Sequence, residues 1–229
     1  MSTPVNANVI GGFTDTLQAG FIAANGTLAK IVADVTPASG NYTGGQRVFD
    51  MVATSTSGAD NALVLWDGVQ ATLYANMIAA TTTDTTNATV TRAGGSFITD
   101  GWKVGDSAMC FGSAGASNNG NVAIVTGVTA TTLTFNGIPA GFSANTEGAG
   151  FRLIRVTRRA WVSVPANSGN ATSVSALLLN VQMVAQSNDA TLDGLGIELG
   201  ANSLLIAACY QAVAALPAVI QINAKSALR

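Results

Sequence analysis

The stretch FITDGWKVGDSAMCFGSAGASNNGNVAIVTGVTATTLTF, Phe97 to Phe135, decides the fold class. Val122, Ile124, Thr126 and Val128 alternate at a period of two, TATT turns the chain, and Leu133 and Phe135 resume the apolar face, which is the pattern of a hairpin with one buried side. Gly101 and Gly105 relax the backbone around Trp102 and Val104. SAGASNNGN (Ser113 to Asn121) reads as a loop, because Asn and Ser bond their own backbone and Gly bends freely. Such a unit buries a small core around Trp102, Ile124, Val128, Leu133 and Phe135.

Outward from this module the same short-strand rhythm continues, with few long faces of helical period. GQRVFDMVATSTS (Gly45 to Ser57) alternates imperfectly through Val48, Met51 and Val52. NALVLWDGVQATLYANM (Asn61 to Met77) predicts a strand to Trp66, a type I′ turn at Asp67-Gly68 and a second strand through Val69, Ala71 and Leu73. FRLIRVTRRAWVSVP (Phe151 to Pro165) predicts one long strand, VSALLLNVQMVA (Val174 to Ala185) a short helix or a strand, and DGLGIELGANS a glycine-punctuated strand. In the C-terminal LLIAACYQAVAALPAVIQINAKSA, Ala and Leu favour helix, whereas Pro217 and the β-branched residues behind it favour two adjacent strands, the reading adopted.

Two composition breaks divide the chain. TTTDTTNATV (Thr81 to Val90) reads as an exposed connector or strand edge, and GIPAGFSANTEGAG (Gly137 to Gly150) is a glycine-rich return. The expectation is an all-β protein: residues 1–79 with 151–229 close a β-sandwich, jelly-roll-like host domain, and residues 80–150 form a small β-barrel-like module inserted in it. Loop tips accept insertions because closure entropy grows slowly with length.

Composition bears on function. Of 229 residues 48% are hydrophobic and only 10% charged, against about 25% in ordinary soluble domains, so partners are expected to cover much of the surface. The net charge of −2 carries no basic footprint for phosphates, which argues against nucleic acid. Apolar runs fall short of the ~20 residues of a membrane span, and the N-terminus lacks a basic start before an apolar stretch, so neither a span nor a secretory signal is read. There is no histidine, which removes Ser-His-Asp and Cys-His nucleophile systems and His-containing zinc sites. No enzyme activity and no cofactor are expected. Cys110 and Cys209 lie far apart with apolar flanks and read as buried thiols made in a reducing cytosol.

Three motifs carry candidate chemistry. GLGIELG (Gly194 to Gly200) lacks the Gly-Lys-Ser/Thr ending of a phosphate loop and reads as glycines at strand ends. Asp100 and Asp106, with Asn118 and Asn119, offer hard oxygen ligands for Ca²⁺, but side chains of this kind ordinarily bond their own turns, and that reading is preferred. Arg152, Arg155, Arg158 and Arg159 form the one basic concentration. They mark either a solvated or edge-protecting strand or a docking surface for an acidic patch on a partner subunit.

The central residues also carry a resemblance. Asp100, Gly101, Trp102, Gly105 and Asp106, then Ser117, Asn118, Asn119 and Gly120, then Ile124, Val128, Ala130, Thr131, Thr132, Leu133 and Thr134 resemble a building block of tailed-bacteriophage virion proteins, with Trp102 where Phe is commoner. VATSTSGADNALVLWDGVQATLY and VSVPANSGNATS are similar to segments of β-sandwich proteins that decorate or cement phage capsids. The resemblance implies a virion location after synthesis in the host cytoplasm, the major capsid protein or other virion subunits as partners, and a homo-oligomer, most simply a trimer. It leaves a tail tube or baseplate component as an alternative, and a carbohydrate-binding adhesin as a weaker one, since Trp66, Trp102 and Trp161 sit among strand-core neighbours.

Overall fold

The computed structural model describes residues 15–22, 29–35, 45–69, 81–84, 89–115, 118–136, 144–148, 150–167, 177–179, 197–209 and 219–228. Among these residues the regular structure is β throughout and no α-helix occurs. The strands are β1 (Asp15–Ile22), β2 (Ala29–Asp34), β3 (Gln46–Ser55), β4 (Asn61–Val69), β5 (Thr81–Asp84), β6 (Thr89–Thr91), β7 (Ser107–Phe111) and β8 (Val122–Val128). They continue with β9 (Thr132–Phe135), β10 (Asn145–Glu147), β11 (Arg152–Val164), β12 (Leu177–Leu179), β13 (Ile197–Leu199), β14 (Ser203–Cys209) and β15 (Val219–Leu228).

The strands form two antiparallel sheets. A ten-stranded sheet runs β10-β5-β6-β9-β8-β7-β11-β4-β14-β2, and a smaller one runs β1-β15-β3-β12 with β13 also on β3. The Thr81 to Val90 run therefore contributes strands, and β6 lies inside the sheet between β5 and β9. The two C-terminal strands exist, but not as neighbours. Ser203–Cys209 pairs with β2 and β4, while Val219–Leu228 lies between β1 and β3 in the other sheet.

The large sheet curls into a half-barrel. Asp34 on β2 and Arg152 on β11 are separated by β14 and β4 in the ladder, yet their side chains meet at 2.5 Å across the concave face. Ala29, Met109, Ile154, Val156, Leu204 and Ile206 fill that face. Gly68 permits the tight curvature, because a Cβ there would come within 2.9 Å of Ile154 and 3.1 Å of Ile206. This corrects the expected turn at Asp67-Gly68. β4 runs unbroken to Val69, and the glycine serves close packing between strands rather than a reversal. The strand expected through Ala71 and Leu73 lies outside the described residues. Gly120, at φ +77°, closes the curl from the β7–β8 loop, its α-carbon lying against Ala29 with no room for a side chain.

Two further cores lie on the opposite face. Val48, Met51 and Ala53 of β3 with Ile197 and Leu199 of β13 pack against Val32, Ala33, Leu63, Leu65, Val164, Leu205 and Ala207, so this core joins the two sheets. Val90, Phe97, Trp102, Ala108, Cys110, Val125, Leu133, Phe151 and Leu153 form the other. The imperfect alternation of β3 has a local cause. Asn223 pairs with Val52 but Lys225 pairs with Phe49, so β3 carries one extra residue, and the bulge moves the buried series from Val48 to Met51 and Ala53.

Candidate interaction surface

β11 carries the arginine cluster and is not an edge. It lies between β7 and β4, so the edge-protecting reading does not apply. Alternation places Arg152, Ile154, Val156 and Arg158 on the concave face and Arg155 on the other. Arg158 pairs with Trp66 and Ala160 with Leu65, leaving Arg159 as the extra residue of a bulge, from which its guanidinium reaches Asp67 at 2.7 Å.

Three of the four cations are engaged within the chain. Arg152 holds Asp34. Arg155 donates to Gly101 O at 2.5 Å, lies 4.0 Å from Asp106 and stands 5.8 Å from the centre of the Trp102 ring. Arg159 holds Asp67. Arg158 is exposed and pairs with no carboxylate among the described residues.

Arg158 borders a groove of about 400 Å³ lined with Trp66, Gly105, Asp106, Ser107, Val156 and Thr157. Register explains the lining: Ser107 faces Val156 across the β7–β11 ladder, and Trp66 faces Arg158 across β4–β11, so all four share the concave face. Trp161 pairs with Val64, two residues from Trp66, and stands 50% exposed on that same face. This corrects the expectation of strand-core surroundings for Trp161; Trp66 is half-buried and packs against the concave core, and Trp102, 5% exposed, is interior. Val104, next to Gly105 at the rim, is 66% exposed.

The residues expected to form the module core divide. Trp102 and Leu133 are buried, with Val128 and Phe135 packed against them. Ile124 is only partly buried and faces Ser107 on the other side of the sheet, and Val125 takes its place. The cause is a bulge at Thr126. Val125 pairs with Phe135 and Gly127 with Thr134, so the inward series steps by three, from Val125 to Val128, instead of by two.

The carboxylates weighed as Ca²⁺ ligands have partners within the chain. Asp100 pairs with Arg92, whose guanidinium also covers the Phe97 ring at 4.8 Å. Asp106 accepts from Lys103 N at 2.8 Å, closing its own turn. Asn118 and Asn119 bond Ser113 from within their loop. No group of three or more acidic or cysteine side chains fit for a metal ion occurs among the described residues. In GLGIELG, Ile197–Leu199 is an ordinary strand on β3.

Glu147 was not legible as a structural residue. It is buried, accepts from Ser113 Oγ at 2.6 Å and Ala114 N at 2.8 Å, and thereby ties β10 to the β7–β8 loop. Cys110 lies in the same cluster and donates to Asn118 O at 3.1 Å. Burial first, and the Glu147 charge second, push its thiol from 9.0 up to about 12, so it stays protonated and inert.

No family model, curated protein or solved structure matches the chain. The functional reading therefore rests on the resemblance carried by the residues between Asp100 and Thr134 and on the disposition of the side chains.

Proposed function

We propose that this chain is a non-enzymatic structural subunit of a tailed-phage virion, a capsid decoration or cement protein. It binds the major capsid protein as a homo-oligomer, most simply a trimer, without nucleic acid or membrane. The observation that carries the reading is how the surface is divided. Arg92 and Arg152 pair with Asp100 and Asp34, and Arg155 and Arg159 lie against Asp106 and Asp67 nearer the surface, while Val69, Ile98, Val104 and Trp161 are exposed. A protein that pairs most of these arginines within the chain and leaves large apolar side chains outside is suited to an assembly whose neighbours cover them.

The host-and-insert organisation belongs to the same reading. The core shared between β3, β13 and the large sheet supports a β-sandwich host, and the core around Trp102, drawn mainly from residues 90–133 and completed by Phe151 and by Leu153 of the host strand β11, supports a module inserted in it. In such an assembly each copy adds buried interface between capsomers, and symmetry multiplies the gain. Co-sedimentation of the purified protein with empty expanded capsids, followed by negative-stain imaging, tests it. Density at local three-fold positions is expected. Rings or tubes formed by the protein alone would favour the tail-tube alternative instead, and absence of binding would end the decoration reading.

A further inference from the structure

The concave strip of Trp66, Ser107, Arg158 and Trp161 has a composition unlike the rest of the sheet. Its one guanidinium has no carboxylate among the described residues, whereas the other three arginines of β11 are all engaged. Beside it lies a groove of about 400 Å³, near the small end of ligand pockets, with Val156 as an apolar floor. Trp161 adds an exposed aromatic surface two ladder pairs beyond. Trp and Arg in a partly enclosed pocket are the residues that most often dominate binding energy at protein interfaces.

The polar chemistry of the strip selects the occupant. Arg158 offers only donors, Ser107 and Thr157 offer hydroxyls that donate or accept, and Asp106 carries a carboxylate whose Oδ2 is bonded to Lys103 N and lies 4.0 Å from Arg155. Arg158 is thus the one cation of the strip with no carboxylate among the described residues, and its fork of donors matches a carboxylate. We propose that this strip is the docking site for an acidic loop of a neighbouring virion protein, which places a Glu or Asp carboxylate on Arg158 and an apolar side chain against Trp161 and the groove. The assignment of the partner to the virion rests on the reading above; the ligand chemistry rests on the strip.

The test uses the full chain, immobilised, with two synthetic nonapeptides that place Glu or Gln beside Leu and Phe at their centre. The Glu peptide is expected to bind roughly tenfold more tightly than the Gln peptide, with the preference fading at high salt. Arg158→Gln should abolish the preference, and Trp161→Ala should weaken both peptides; both sites are exposed, and unchanged thermal unfolding confirms intact variants. Equal binding of the two peptides, a preference that survives Arg158→Gln, or displacement of the Glu peptide by a neutral oligosaccharide would overturn the assignment. Capsid co-sedimentation separates the two readings. Sedimentation that is indifferent to Arg158→Glu and Trp161→Ala refutes this site while leaving the virion role. A Glu preference in a chain that never sediments with capsids supports the site and refutes that role.

Discussion

Replacing Trp102 by Ala tests whether the segment around it is a cooperative unit. The indole is 5% exposed, meets Phe97 edge-on at 6.5 Å and 89°, and is flanked by the Arg155 guanidinium. Truncating a buried Trp costs about 3–5 kcal/mol, of which the aromatic pair accounts for about 0.5–1.5. Every 1.4 kcal/mol is a factor of ten, so amides that exchange through opening of this unit should lose between about 10² and 10⁴ in protection. Native-state hydrogen exchange reads this directly. The loss is expected across Phe97 to Phe135, while β4 and β14, whose cores exclude Trp102, keep their protection. Unchanged protection across Phe97 to Phe135, or an equal loss in β4 and β14, would refute the reasoning.

Three further outcomes follow from the packing and the buried polar cluster. Gly68→Ala should overpack the concave face against Ile154 and Ile206, lowering the Tm by roughly 3–10 °C, whereas Gly58→Ala, with nothing within 4 Å, should leave it unchanged in the same melts. Glu147→Gln cannot accept from both Ser113 and Ala114 in the same geometry and should cost about 1–3 kcal/mol in chemical denaturation. Cys110 should resist iodoacetamide at pH 8 until the chain unfolds, which timed alkylation and mass spectrometry would follow. Because its folded pKa lies above its ordinary 9.0, the stability associated with the neutral thiol is complete below pH 9.0. It is lost as pH rises toward 12, a slope that denaturation at stepped alkaline pH would reveal.

The strand character of the chain was written locally, in β-branched alternation and in Asn and Gly at the loops, and so was the long strand at Arg152–Val164. Facing was less legible. One extra residue in each of β3, β8 and β11 shifts a face without leaving any mark in the residue types, which is why Ile124 reads as core and Val125 proves to be. Asp67-Gly68 gives the local signature of a turn, but the glycine answers to Ile154 and Ile206, residues far away in sequence. The candidate site was legible as a basic cluster and no further. Which arginine lacks a carboxylate depends on partners such as Asp34, 118 residues from Arg152, and Asp67, 92 from Arg159. A clearer signal existed for Trp161: it follows the Arg158-Arg159 pair with only Ala160 between, a charged setting poorly suited to a core.

The ladder between β7 and β11 also has a mechanical meaning. Along the sheet path, every hydrogen-bonded route from β10, β5, β6, β9 and β8 to β4, β14 and β2 passes through its five register pairs, Ser107 to Phe111 against Val156 to Arg152. Tension applied crosswise meets those pairs one at a time and opens them as a zip. Tension applied along the strands loads them in parallel, and they must fail together. The seam is thus weak in one direction and strong in another, and the direction in which a neighbour pulls decides whether the two halves of the sheet move as one body or part.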